Sequence, residues 1–204
     1  KPAEIVIQYP PDGAVFPPEI APPTFRWDVS KSSAAAWQVQ FDFHDGTDPE
    51  IHVGGGGEWT PHAQAWRVIK GRSRENPTTV TILGCDASSS RRIVAEASVS
   101  ISTSKDEVGA PLFFREVNLP FMTAVKDPAA YIRWRFGDIS ATEPPPIVLE
   151  KLPVCGNCHS FSADGSTLAM EVDSGNDKGA YAILPVEREM FLEPDTIISW
   201  ANYR

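Results

Sequence analysis

The sequence predicts a mainly β protein. Nineteen prolines and fourteen glycines interrupt the chain at short intervals, which is typical of strands joined by tight turns. Several segments between them alternate apolar and polar residues with a period of two, the pattern of a half-buried strand. Hydrophobic residues make up 42% of the chain and charged residues 22%, so we expect a packed core.

The first part of the chain contains the clearest strand pattern. Over residues 36–43, four large apolar side chains share one face: Trp37, Val39, Phe41 and Phe43. Further strands are predicted over 4–9, 13–18, 22–29, 51–53, 66–69, 78–84 and 92–102. Short strands at this spacing predict an antiparallel β-sandwich of immunoglobulin or fibronectin type (Ig/FN3-like) over residues 1–105.

The pattern changes after Ser104, and residues 106–204 are predicted to form a second region. Asp127-Pro128 fits a helix cap followed by proline at the first helical position, within a short helix predicted over 122–131. Strands are predicted over 112–119, 132–136, 147–152, 166–172 and 179–184. We expect a small region with a short helix and a β-hairpin.

The run Cys155-Gly156-Asn157-Cys158-His159 carries the chemistry of the second region. Two thiols at this spacing form thioethers with the two vinyl groups of one haem, and the adjacent histidine becomes the proximal iron ligand. Gly156 and Asn157 are small and turn-permissive, which predicts a tight loop at the edge of the porphyrin. The run therefore predicts one covalently attached haem c.

Two other readings of the motif stay open. Cys155 and Cys158 could form a structural disulfide or a redox pair. A zinc site is the second alternative, although it needs a fourth ligand and the adjacent Cys158 and His159 would crowd one ion. Cys85 stands alone and is predicted to be a free, half-buried thiol.

Met170 is the leading candidate for the distal iron ligand. It follows His159 by eleven residues, but it alternates with Leu168 and Val172, so a core position is an equally direct reading. The other candidates are Met122, Met190, His44, His52, His62 or an open site. A methionine thioether would raise the reduction potential, and a second histidine would lower it.

Arg133 and Arg135 flank Trp134 and share one face of the strand predicted there. Two guanidinium groups on one face are candidates to neutralise the haem propionates. Ordinary surface charge is the alternative.

The formal charge of −9 restricts the partners and the location. An acidic surface repels nucleic acid and anionic lipid and suits a redox protein with a basic docking surface, including a membrane-associated complex. No run of 18 apolar residues exists, so no membrane span is expected. Haem attachment occurs on the exported side of the bacterial membrane, which predicts a periplasmic or extracellular protein. The start Lys1-Pro2-Ala3-Glu4 reads as mature or truncated.

The residues after the motif carry a family resemblance. The run Ser160-Phe161-Ser162-Ala163-Asp164-Gly165, followed by Leu168-Ala169, is similar to the propeller-blade signature SFSPDG-x-x-LA, with alanine in place of the usual proline. It resembles bacterial exported proteins in which a CxxCH haem motif is fused to TolB-like, WD40-type (PD40) propeller strands. Residues 13–18, 25–27 and 114–117 are like the sandwich region of those proteins.

The resemblance implies propeller strands but not a complete propeller. About 45 residues follow the motif, whereas a propeller needs four to eight blades of roughly 40 residues each. The expectation is either a fragment of a longer protein or a short version whose two strands dock on the sandwich.

The leading functional hypothesis is single-electron transfer by one haem, without an enzymatic reaction. No Ser-His-Asp or paired-carboxylate constellation stands out in the sequence. The first alternative is a structural or binding β-sandwich module of an extracytoplasmic complex, in which the haem or a CxxC disulfide is secondary. The second is a haem enzyme or gas sensor with an open sixth position.

Overall fold

The computed structural model describes residues 2–30, 32–87, 89–152, 156–174 and 177–199. The chain divides into two compact units, Lys1–Gly109 and Ala110–Arg204. The boundary predicted from the sequence was after residue 105. The protein is mainly β and contains several antiparallel sheets. The predicted β class is therefore confirmed at this level.

The first unit contains a large sheet and a small one. Its strands are β1 Ala3–Glu4, β2 Ile7–Tyr9, β3 Ala14–Phe16, β4 Phe25–Trp27, β5 Ala36–Asp42, β6 Glu50–Gly54, β7 Glu58–Trp59, β8 Thr78–Asp86 and β9 Ser89–Thr103. The large sheet has the order β1-β9-β8-β5-β6, and β3 also pairs with β9. The small sheet has the order β2-β4-β7. Strands β5, β8 and β9 are antiparallel, whereas β1 and β3 run parallel to β9.

The core of the first unit follows the alternation read from the sequence. Trp37, Val39 and Phe41 of β5 are buried, as predicted. The Phe25 ring of β4 meets the Phe41 ring edge-on at 5.8 Å. Apolar side chains of the two sheets thus share one core, with aromatic rings in the edge-to-face arrangement that such pairs prefer.

The strand predicted over residues 66–69 is wrong, because these residues belong to helix α1, Ala63–Arg72. The His62 side chain caps the helix by accepting the Ala65 N–H at Nδ1, 3.2 Å away. Trp66 and Ile69 are both buried, and their spacing of three residues suits one helix face. A short apolar run does not separate a strand from a helix turn, and here the cap and the tertiary contacts select the helix.

The second unit also contains two sheets. Its elements are β10 Leu112–Val117, α2 Phe121–Lys126, α3 Pro128–Tyr131, β11 Ile132–Gly137, β12 Ile147–Glu150, β13 Gly156–Phe161, β14 Thr167–Ser174, β15 Asp177–Pro185, a 3-10 turn Pro194–Thr196 and β16 Ile197–Ile198. One sheet has the order β10-β11-β12 and the other β13-β14-β15-β16.

The predicted helix over 122–131 is two short helices. Asp127 separates them, and its carboxylate accepts the Ala130 N–H at 3.2 Å, with Pro128 as the first residue of α3. The cap and the proline therefore have the positions that the sequence predicted.

A second core lies between the two sheets of this unit. Leu168, Met170 and Val172 of β14 are buried on one face and belong to the same apolar cluster as Trp134 of β11 and Leu149 of β12. Within the part of the chain that the structure describes, no helix is long and apolar enough to cross a membrane.

Candidate functional site

The CxxCH residues from Gly156 onward form the edge strand β13, whereas the sequence predicted a tight loop. Cys155 lies outside the described residues. Gly156 pairs with Val172 and His159 with Met170, so β13 has one residue more than β14 over this stretch. Such a β-bulge bends an edge strand and redirects its side chains. The Cys158 thiol is free and exposed, as attachment to a ligand requires.

Gly156 is fixed by packing rather than by turn geometry. A Cβ at this position would lie 2.6 Å from the Met170 Sδ and 2.9 Å from the Leu152 Cδ2. Both distances are shorter than van der Waals contact. The absence of a side chain at position 156 therefore lets β13 lie directly against the core.

The turn between β13 and β14 is held by the Asp164 carboxylate. Its Oδ1 accepts hydrogen bonds from the Ser162 hydroxyl at 2.6 Å, from the Ser166 hydroxyl at 2.8 Å and from the Ser166 N–H at 3.1 Å. The Ser162 hydrogen bond is the largest cause that lowers the pKa of Asp164 to about 2. Gly165 adopts φ +72°, a conformation that favours glycine. These contacts explain the Asp-Gly pair of the propeller-like signature.

His159 is exposed and contacts three aromatic rings. Its ring centroid lies 4.9 Å from that of Phe113 and 5.1 Å from that of Trp134, both close to perpendicular, and 6.2 Å from that of Phe161. Nδ1 lies 3.5 Å from the Asn157 carbonyl oxygen, a long hydrogen-bond distance. A proton on Nδ1 facing this carbonyl leaves the Nε2 lone pair free to bind a metal, which is the usual arrangement of a metal-binding histidine.

An apolar pocket of about 390 Å³ lies beside His159, entirely within the second unit. Its walls include Leu112, Phe113, Phe136, Val148, Phe161, Val186 and Met190, together with His159 and Glu187. The buried Trp134 lies against His159, and its Nε1–H has no hydrogen-bond partner among the described residues. The volume and lining are typical of a site for a mainly apolar ligand.

Arg133 and Arg135 lie on the face of their strand opposite to Trp134, whose side chain is buried in the core. Both guanidinium groups donate to the Glu116 carboxylate, and Arg135 also donates to the Pro145 carbonyl. The hydrogen bond from Arg135 is the largest cause that lowers the pKa of Glu116. The two arginines share one face, as predicted, but they are engaged on the side away from His159. Their contact with haem propionates stays a prediction.

Arg115 is the arginine that sequence reasoning missed. It pairs with Trp134 across β10 and β11, so the two side chains lie on the same face of the sheet. Its Nη1 donates to the Gly156 carbonyl oxygen at 3.1 Å, which ties the haem-motif strand to the other sheet. The period-two alternation of Phe113 and Arg115 within the predicted strand was the signal that could have identified it.

The three methionine candidates occupy different environments. Met170 is 0% exposed in the core and is paired with His159 in the β-ladder. Met122 is 64% exposed on α2. Met190 is 6% exposed and lines the pocket that also contains His159.

The histidine candidates belong to the first unit, and each has a local contact. His44 Nε2 lies 2.9 Å from the Thr79 hydroxyl, and His52 Nε2 lies 3.1 Å from Glu50 Oε1. His62 caps α1. Cys85 is a free thiol that is fully buried, rather than half-buried as the sequence predicted. Among the described residues, no three His, Cys, Asp or Glu side chains form a metal-binding group.

No protein-family model matches the chain, and no curated protein is detectably similar to it.

Proposed function

We propose that this protein is a monohaem c-type cytochrome that transfers single electrons in the periplasm or outside the cell. Cys155 and Cys158 would hold the haem through thioethers, and His159 would bind its iron. The observation that carries the proposal is the position of His159, which belongs to the CxxCH run and lies in the wall of an aromatic-lined apolar pocket.

The residues of the pocket fit a haem. A haem is a flat, mainly apolar ring, and the aromatic and aliphatic side chains beside His159 provide a matching surface. A pocket of about 390 Å³ encloses only part of such a ring. Covalent attachment through two cysteines would compensate for this incomplete enclosure.

The surrounding side chains give His159 a defined orientation. Phe113 and Trp134 contact the imidazole ring edge-on, and the Asn157 carbonyl faces Nδ1, so Nε2 is left as the metal-binding atom. When bound, haem supplies a reversible one-electron couple whose potential depends on the axial ligands and on burial. The apolar walls beside His159 would contribute to setting that potential.

Electron transfer requires that a partner approach the site closely. The haem-motif residues lie on an edge strand, and the Cys158 thiol is exposed. The net charge of −9 would attract a partner with a basic docking surface and accelerate its association at low ionic strength.

The proposal includes a finer description of the fold. The first unit would be an Ig/FN3-like sandwich, and strands β13–β15 would correspond to the first strands of a TolB-like propeller. The features that support the second statement are the antiparallel β13–β14–β15 order and the Asp164-Gly165 turn.

The proposal is tested by producing the chain in a bacterial host that attaches c-type haem. The expected result is an intact mass that includes one haem, and a reduced visible spectrum that survives acid-acetone extraction. Cys158→Ser should change the spectrum to that of a haem with one thioether or none. The matched control Cys85→Ser removes a thiol outside the motif and should leave haem attachment unchanged. A wild-type chain without added haem mass would overturn the proposal.

A second candidate function is a binding module within an extracytoplasmic complex. The observation that favours it is a run of exposed apolar residues at α2, formed by Leu119, Phe121, Met122 and Val125. Exposed apolar patches mark interaction sites more often than isolated exposed residues do. A complex that survives purification in both redox states, and that Phe121→Ser disrupts, would support this function.

A further inference from the structure

Strand pairing distinguishes between the methionines that are candidates to bind the haem iron together with His159. Met170 is the direct cross-strand partner of His159, so their Cα atoms are roughly 5 Å apart and their side chains project from the same face. The two axial ligands of a haem approach the iron from opposite faces of the ring. Met170 can do this only if β13 separates from β14, which would also remove its thioether from the core.

Met190 lines the same pocket from a segment beside β12. Its N–H donates to the Val148 carbonyl at 2.7 Å, and it forms a bridge with Leu149, so it lies beyond the edge strand β12. Trp134, which contacts His159, lies on β11. The backbone of Met190 is therefore about two strand spacings, roughly 10 Å, from the backbone of β11. His159 lies on β13, so the two side chains enter the pocket from different elements of the second unit.

The local structure around Met190 suits a ligand. Its backbone is fixed by the contacts with β12, while its neighbours between β15 and the 3-10 turn have irregular backbone. An unbranched thioether on such a segment can reorient without disturbing a sheet. Met122 lacks this placement, because it is exposed on α2 and is not among the residues that line the pocket.

The geometry points to Met190 as the distal ligand of the haem iron, a conclusion that rests on the proposed function. His159 on β13 and Met190 in the segment bridged to β12 would then hold the iron. The site would be low-spin and closed to small gaseous ligands, and the thioether would raise the reduction potential relative to a bis-histidine site.

The test compares three variants of the haem-loaded full chain. In the oxidised wild-type protein we expect the weak near-infrared sulfur-to-iron band, and in the reduced protein no binding of carbon monoxide. Met190→Ala should lose the band and bind carbon monoxide stoichiometrically. Met190→His should remain low-spin without the sulfur band and should have a lower reduction potential. The matched control Met170→Leu preserves the volume of a core side chain and should keep the band.

The outcomes separate this inference from the proposed function. A wild-type chain without covalent haem overturns both. A haem-loaded wild type that lacks the sulfur band, or a Met190→Ala variant that keeps it, overturns the assignment of Met190 alone. Loss of the band in Met170→Leu with retention in Met190→His would assign the ligand to Met170. Met190→His also covers the case in which Met190→Ala does not fold.

Discussion

The two units use aromatic side chains in different ways. In the first unit, Phe25, Phe41 and Trp66 are buried, and the Phe25 ring contacts both of the others. In the second unit, Phe136 and Phe161 are about two-fifths exposed and line the pocket beside His159, while the residues beneath them are mainly aliphatic. The rings of the first unit therefore contribute to its stability, whereas these two rings of the second unit remain accessible in the wall of a pocket.

The largest expected effect comes from truncating a ring in each unit. Phe41→Ala should lower the free energy of unfolding by about 3–5 kcal/mol, because it removes a fully buried ring. Phe161→Ala should cost only about 1 kcal/mol, since 40% of this side chain is already exposed. Chemical denaturation, followed by fluorescence, measures both values.

The reduction potentials of the haem-loaded variants should show the opposite order, with the larger effect in the Phe161 variant. Phe161→Ala removes part of the pocket wall beside His159 and should shift the reduction potential, whereas Phe41→Ala should leave the potential unchanged in the folded protein. Equal stability losses, or a potential shift in Phe41→Ala alone, would contradict the division of roles between the two units.

A matched pair of glycine substitutions sharpens the comparison at the backbone. Gly156→Ala should destabilise the protein by about 1–3 kcal/mol, because the new Cβ would collide with the thioether of Met170. Gly71→Ala in α1 meets nothing within 4 Å and should stabilise the protein by roughly 0.5–1 kcal/mol through helix propensity. Thermal unfolding checks the two opposite signs. A neutral Gly156→Ala would mean that the ends of the Met170 and Leu152 side chains move aside without cost, which would contradict tight packing at this position.

Arg115 offers a smaller effect on the same strand. Arg115→Met should cost roughly 1–2 kcal/mol, because it removes a charged donor to the carbonyl of the buried Gly156. Arg92→Met is the control in the first unit. Its guanidinium is 72% exposed and 3.6 Å from Asp86, so its loss should cost less than about 0.5 kcal/mol. Urea denaturation distinguishes the two, and equal costs would show that the Gly156 contact is not formed.

The alternation of apolar residues made much of the fold predictable from the sequence. It identified the buried face of β5, and the Asp127-Pro128 pair gave the start of α3, because both signals are local. Helix α1 was missed because it depends on tertiary contacts. One of them is the hydrogen bond from the Trp66 Nε1–H to the Ile20 carbonyl oxygen, at 2.9 Å.

The site was predictable only in part. The motif identified His159, but neither Arg115 nor the pocket position of Met190 follows from spacing along the chain. Which candidates share a site depends on pairing between distant segments, because β13 pairs His159 with Met170 and a separate bridge places Met190 beside β12. A single sequence contains little information about such pairing between distant segments.

Two aspartates provide the smallest predicted effect and the finest comparison of the units. Asp45 in the first unit and Asp164 in the second both have a pKa lowered to about 2. The hydrogen bond from Thr47 and then that from the Arg72 guanidinium lower the pKa of Asp45. Asp164 is held by the hydroxyl and amide donors of Ser162 and Ser166, which carry no charge.

The pKa of Asp45 should depend on salt because Arg72 is charged, whereas the pKa of Asp164 should not, because its donors are neutral. At about 1 M salt the screening length falls to about 3 Å, so the pKa of Asp45 should rise by the small part that the charge of Arg72 contributes, because the neutral Thr47 donors remain, while that of Asp164 stays near 2. Because both values are depressed, each carboxylate stabilises the folded state above pH 3.8 and loses that contribution as the pH falls toward 2. Carboxyl NMR titration at low and high salt measures both shifts. An equal rise at the two sites would mean that unspecific charge, rather than the neutral donors of the β13–β14 turn, holds Asp164 ionised.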